Sequence, residues 1–322
     1  MIIITGAAGF IGSVLLGYFN QKGIDDILIV DDLGKTDKWK NLVGKQFSDY
    51  LHKDKFLEII KKNNKAFIPK AVIHMGACSD TTEKNAEYLI QNNFKYSKEL
   101  ARWCLKNQIR FIYASSGATY GDGKLGFSDD LKLMPKLKPV NMYGYSKHLM
   151  DLWVIKNKLS DKLTGLKFFN VYGPNEYHKE NMSSVVFKAF KKIKKTGRMG
   201  LFKSYLPEWE DGKQKRDFIY VKDVAEVVWW LYNNEAVNGI FNVGTGEART
   251  WLDLVKAVFD AMDKENKIDF IEMPEEMRDR YQYFTEAKMT KLKKSGYNKK
   301  FASLENGIKD YVNNYLIKDN YF

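Results

Sequence analysis

MIIITGAAGFIG, residues Met1–Gly12, is the stretch whose reading decides the fold. Ile2, Ile3 and Ile4 form an apolar run with no helical period, and three glycines follow at Gly6, Gly9 and Gly12. Behind them Val14, Leu15, Tyr18 and Phe19 recur at helical spacing. The chain therefore reads as strand, tight turn and helix, the helix near Ser13 to Lys22. Gly6 permits the turn, Gly9 lets a ligand come close to the backbone, and Gly12 lets the helix pack on the strand. The helix start offers unpaired N–H groups and the positive end of a dipole, which suits a phosphate.

Working outward, Asp26 to Asp32 (DILIVDD) reads as a second buried strand. It places Asp31 about twenty residues beyond the glycines, where a carboxylate accepts hydrogen bonds from an adenosine ribose. The combination predicts a dinucleotide site. A free ribose 2′-hydroxyl suits Asp31 and points to NAD; a 2′-phosphate needs cations, and Lys38 and Lys53 follow closely. Further strands are expected at Ala71 to Met75, Arg110 to Ala114 and Leu166 to Phe169, with helices at about Glu87 to Lys106 and from Tyr143. Alternation of this kind means right-handed βαβ units and a parallel sheet covered on both faces. The second half gives a helix over Ser183 to Lys195, a strand from Arg216 to Val221 with a helix over Asp223 to Tyr232, a strand at Gly239 to Val243, and helices at Trp251 to Met262 and Phe301 to Leu316. The expected fold class is α/β: a Rossmann-type doubly wound parallel sheet with a smaller, interleaved α/β substrate domain.

The chain has 322 residues, 44% of them hydrophobic, enough for a sizeable core. No apolar run reaches the ~18 residues of a membrane span, so no membrane partner is expected. MIIIT reads as a strand, not a signal peptide. The net charge is +12, but the lysines are dispersed among 40 acidic residues and no nucleic-acid motif stands out. A solvated basic surface and no nucleic-acid partner follow. Cys78 and Cys104 lie outside any CxxC pair, as in a reduced cytoplasmic protein with two core thiols. His52, His74, His148 and His178 lack metal-ligand spacing, so no metal is expected.

The chemical group is Tyr143-Gly-Tyr-Ser-Lys147. On a helix, positions four apart share a face. A lysine ammonium beside a tyrosine favours the phenolate, whose pKa otherwise lies near ~10. Such a tyrosine exchanges a proton with a substrate alcohol. Ser115 and Ser116, in YASSGATYG at the end of a strand, supply a hydroxyl that orients the same alcohol.

TGAAGFIG, SSGATYG, YGYSK, NVYGP (Asn170 to Pro174) and RDFIYVKDV (Arg216 to Val224) together resemble the extended short-chain dehydrogenase/reductase family, which acts on nucleotide sugars. Dehydratases of that family carry an acidic pair where this chain has Gly117 and Ala118, so elimination is not expected. HMGACSDTTE (His74 to Glu83), NNFKYSKEL (Asn92 to Leu100), FFNVYGPNEYHK (Phe168 to Lys179) and RYQYFTEA (Arg280 to Ala287) are similar to its branch that epimerises an ADP-linked heptose at C6. The resemblance implies bound NADP (NAD being possible), a transient ketone, and two bases, Tyr143 and Lys179. It implies Lys147 and Ser116 as their catalytic support. It places Gly6, Gly9, Phe10, Ile11, Gly12, Asp31, Asp32, Lys38, Lys53, Met75, Gly76, Ala77, Cys78, Ser79, Asn92 and Val171 on the cofactor. Asn170, Asn181, Lys188, Phe202, Arg216 and Tyr281 fall on the substrate, with Arg216 suited to the ADP pyrophosphate.

The chain departs from the family's pattern at Asp32 (asparagine there), Met75 (glutamate), Asn181 (serine) and Lys188 (histidine), and residues 204–214 are longer. The resemblance also implies a homo-oligomer, a ring of five in form. A cofactor domain of residues 1–168, 220–246 and 281–296 and a substrate domain of 169–219, 247–280 and 297–322 are expected. A UDP-hexose 4-epimerase would share the glycines, Ser116, Tyr143 and Lys147 but need no Lys179, and a non-catalytic dinucleotide-sensing regulator would need only the fold.

Overall fold

The computed structural model describes residues 1–62, 68–278 and 281–322. A seven-stranded sheet forms its centre, in the order β10-β6-β5-β4-β1-β2-β3, every pair parallel. The strands are β1 (Ile2–Thr5), β2 (Ile27–Asp31), β3 (Asp49–His52), β4 (Ala71–His74), β5 (Arg110–Ser116), β6 (Thr164–Phe168) and β10 (Gly239–Val243). All four residues of β1 and all five of β2 are buried, as central parallel strands require. Helices α1 (Phe10–Gln21), α2 (Lys53–Lys61), α3 (Ala86–Leu89), α4 (Tyr96–Lys106), α5 (Met142–Lys156) and α7 (Val221–Asn233) belong to this layered half. The sheet and its helices match the expected α/β class.

Two smaller sheets carry the rest. β7 (Asn170–Tyr172), β9 (Lys215–Tyr220) and β11 (Ala248–Thr250) form one, in the order β11-β9-β7. β8 (Met199–Phe202) and β12 (Ile268–Ile271) pair in parallel as the other. With them go α6 (Val185–Thr196), α8 (Trp251–Ala261), α9 (Glu275–Arg278) and α11 (Leu304–Tyr311), while α10 (Thr290–Lys294) packs on β10 of the large sheet, Lys291 donating to the Ile240 carbonyl (2.8 Å).

The departures from expectation have local causes. Helix α1 starts at Phe10, not Ser13, because Gly9 in extended backbone is its cap. The helix expected over 87–106 is divided by a π turn at Ile90–Lys95, and the last one starts at Leu304 because Ser303 caps it through the N–H of Asn306. It ends in a second π turn, Val312–Leu316. β3, β7, β8, β11 and β12 are only three or four residues long and were not expected; DYLH of β3 is an edge strand with two exposed residues. Cys104 is in the core, whereas Cys78 is only half-buried.

Candidate active site

The glycine turn has the geometry its sequence calls for. Gly6 has φ +67°, and a Cβ there would lie 2.6 Å from the Gly76 Cα. A Cβ on Gly12 would lie 2.0 Å from the Gly6 carbonyl oxygen. No larger residue fits either place. The Gly9 N–H donates to the Gly6 carbonyl (3.0 Å), closing the turn at the start of α1. This side-chain-free cradle at a helix N-terminus, beside the ends of β1 and β4, fits the pyrophosphate of a dinucleotide.

A cleft of about 640 Å³ opens over it. Gly6, Gly9, Phe10, Ile11, Gly12, Asp31, Lys38, Met75, Gly76, Ala77 and Ser79 line its cofactor half. Ser116, Tyr143, Lys147, Asn170, Val171 and Lys179 line the remainder. A side cavity of about 190 Å³ gathers Asp32, Lys53, Cys78 and Asn92 with Asp31 and Lys38. Asp31 is buried and already engaged. Its Oδ2 accepts the Ala8 N–H (2.7 Å), and its Oδ1 accepts Lys38 Nζ (2.7 Å) and the Asp32 N–H (2.7 Å). Lys53 Nζ pairs with Asp54 at 3.0 Å, and exposed Asp32 lies 3.6 Å from His52.

The Asn141 side chain caps α5 by accepting the Gly144 N–H (2.7 Å), and this sets Tyr143 and Lys147 on one face. Burial pushes the Tyr143 phenol up from its ordinary pKa, and its hydrogen bond with Ser116 pulls it back. Lys147 is 4% exposed and its ammonium makes no hydrogen bond with a described residue. Burial holds it down to about 8, and Asp151 one turn along opposes that. Asp151 is itself fully buried. It accepts Lys167 Nζ (2.6 Å), the Ser115 hydroxyl (2.7 Å) and the Tyr113 hydroxyl (3.0 Å), which ties α5 to β5.

Lys179 lies in the turn Tyr177–Met182, its Nζ 5.7 Å from the centre of the Phe10 ring. Burial lowers its pKa; Glu176 raises it and Lys188 lowers it further. The residue after it, Glu180, has φ +46° and ψ −116°, a strained conformation for a side chain.

The remaining substrate candidates lie beside the cleft rather than in its lining. Arg216 donates to the Lys215 carbonyl (2.9 Å) and the Gln282 carbonyl, between the rings of Trp251 (5.6 Å) and Tyr281 (5.4 Å). The Trp251 indole N–H donates to the Tyr281 hydroxyl (2.9 Å), and Phe202 meets Tyr281 edge-on. Trp251 itself lines the cleft and so joins this cluster to it. Lys188 is exposed and donates to the Asn181 carbonyl (2.6 Å). Arg280, in the RYQYFTEA stretch, lies outside the described residues.

Sequence reasoning missed Trp251, Glu176 and His178, which also line the cleft. Trp251 reads only as an apolar helix residue. His178 stands next to Lys179, but a lone histidine in a loop carries no signal; burial, then Lys179 and Lys38, lower it to about 4. Among the described residues no group of three His, Cys, Asp or Glu is placed to hold a metal, and no helix is long and apolar enough to cross a membrane.

A glycine cradle, a serine–tyrosine–lysine set and a parallel sheet define the class. The chain belongs to the NAD dependent epimerase/dehydratase family, whose model matches residues 2–244. Within it, the chain is 54% identical over 316 residues to the ADP-L-glycero-D-manno-heptose-6-epimerase of Nitratidesulfovibrio vulgaris, covering 98% of each chain. It is 49% identical over 328 residues, 99% of each chain, to the protein of that name from Fusobacterium nucleatum. The crystal structure of Helicobacter pylori ADP-L-glycero-D-manno-heptose-6-epimerase superposes with a TM-score of 0.78 at 28% identity, covering 97% of this chain and 94% of that one.

Proposed function

We propose that this protein is an isomerase that inverts C6 of ADP-D-glycero-D-manno-heptose to give ADP-L-glycero-D-manno-heptose. The observation that carries the reading is one cleft lined by the glycine turn, by Ser116, Tyr143 and Lys147, and by Lys179 from a separate element. A nicotinamide dinucleotide, held over Gly6, Gly9 and Gly12, would supply reversible hydride transfer.

The chain's own residues do the rest. Tyr143 takes the proton of the C6 hydroxyl as the alcohol becomes a ketone. Ser116 hydrogen-bonds the reacting oxygen, and the Lys147 ammonium favours the phenolate. The ketone is planar, and inversion requires that it present its other face. That turn carries its oxygen away from Tyr143, so the returning proton needs a second donor. Lys179 fits, because it lines the same cleft from a separate element and burial lowers its pKa. Asn170, Asn181, Lys188, Phe202, Arg216 and Tyr281 bind the substrate. For the cofactor we favour NADP, since Lys38 already neutralises Asp31 and Lys53 adds a second cation at the side cavity.

The test is an NMR time course of the purified protein with ADP-D-glycero-D-manno-heptose and no added reductant. Conversion to the L-glycero epimer is expected, and denaturation is expected to release NADP. Lys179→Ala is expected to lose at least ~10²-fold in turnover. Near-normal turnover in that variant would remove the second base and leave a one-base epimerase.

A further inference from the structure

Asn41 lies in the short turn Asp37–Leu42 after β2, is 1% exposed, and is not itself part of the cleft lining. Its amide nitrogen donates to the Ala8 carbonyl (2.9 Å) and to the Asn175 carbonyl (3.0 Å), and it faces His178 Nδ1 at 3.3 Å. Ala8 belongs to the glycine turn. Asn175 and His178 belong to the loop that carries Lys179. A single NH2 group therefore spans the two.

The brace is doubled. The fully buried Asn175 donates from its own amide to Ser13 Oγ (2.9 Å), one turn into α1, and holds φ +75°. The loop thus rests on the glycine turn and its helix. On the other side of the same residue, the Ala8 N–H is fixed by Asp31.

We infer that Asn41 is a positioning residue that couples occupancy of the glycine turn to the placement of Lys179. An anion held at the start of α1, by the N–H groups of Phe10 and Ile11, steadies the turn whose Ala8 carbonyl Asn41 grips. Asn41 passes that constraint to the Asn175 carbonyl, four residues before Lys179. The inference rests on the reading of the glycine turn as a dinucleotide cradle and of Lys179 as the second base.

The test is amide hydrogen exchange over residues 174–182, with and without saturating NADP, in wild type, Asn41→Ala and Ser13→Ala. Wild type is expected to gain protection on binding. Asn41→Ala is expected to bind NADP yet lose at least about half of that gain. Ser13→Ala is expected to change in the same direction and decides the matter if Asn41→Ala does not fold. In turnover, Asn41→Ala is expected to lower kcat about tenfold with little change in KM. In a Lys179→Ala background it is expected to lower kcat no further.

An undiminished gain of protection in the variants would overturn the coupling. So would outright loss of NADP binding in Asn41→Ala, which would make Asn41 part of the cradle, or a further loss of activity without Lys179. The exchange experiment uses no sugar. A wild type that shows the coupling but converts no ADP-heptose would sink the proposed substrate and leave the coupling standing.

Discussion

Lys147 is the residue on which the proton chemistry turns, and its surroundings set a pH limit. Its folded-state pKa is lowered to about 8 from 10.5, so the ammonium is present below that pH and lost above it. Turnover that needs the cation is expected to fall as pH rises through about 8. Lys147→Arg keeps its charge beyond pH ~12 and is expected to retain part of the activity without that limb. A kcat–pH profile for both proteins checks this, and a limb that persists in the arginine variant would assign it elsewhere. The stability sign is opposite: between about pH 8 and 10.5 the unfolded chain holds a proton that the folded chain does not, so raising pH there favours the fold. Tyr143 and Lys147 could be placed together from the sequence because four residues along a helix is one face, whereas Ser116 stands on a separate element, the end of β5, and was picked out by its motif. Lys179 was reached through resemblance alone. Asn41 could not be read at all, since it acts through carbonyls 33 and 134 residues away.

Among the elements, the π turn at Ile90–Lys95 is the least legible and the most consequential. One wide turn rotates the helix so that Asn93, not only the expected Asn92, faces inward. The Asn93 side chain accepts the Cys78 N–H (2.9 Å) and donates to the Cys78 carbonyl (2.9 Å) and the Ser146 hydroxyl (3.0 Å). It so fixes the Met75–Ser79 stretch against the helix that bears Tyr143. A pattern of apolar residues every three or four positions runs through such a turn without a mark. Asn93→Ala is expected to cost about 2–3 kcal/mol, through a buried peptide left unpaired. Urea unfolding measures the loss, and titration with NADP is expected to show weaker binding. The unforeseen strands share a simpler cause: they are short, at edges or in small sheets, and nearly all their residues are partly open to water.

For the whole molecule, one buried carboxylate ties the large sheet to the three-stranded one. Asp217 of β9 is fully buried. It accepts the Thr245 N–H (2.7 Å) and hydroxyl (2.8 Å), the Gly246 N–H (2.9 Å) and the Ala287 N–H (3.0 Å). Thr245 and Gly246 follow β10 of the large sheet, so the bonds tie the two sheets across the mouth of the fold. Asp217→Asn turns an NH2 group toward donors and is expected to cost about 3 kcal/mol, read from the urea midpoint. An unchanged midpoint would show that apolar packing holds the sheets without it.

The order of the large sheet bears on how the chain is made. β3, β2, β1, β4 and β5 are neighbours in space and the first five strands in sequence, complete by Ser116. The ribosome therefore delivers five adjacent strands of the seven, glycine turn included, before Tyr143 or Lys179 exists in the polypeptide. The half of the protein that grips the dinucleotide can assemble during synthesis, and the half that does chemistry is laid onto it afterwards.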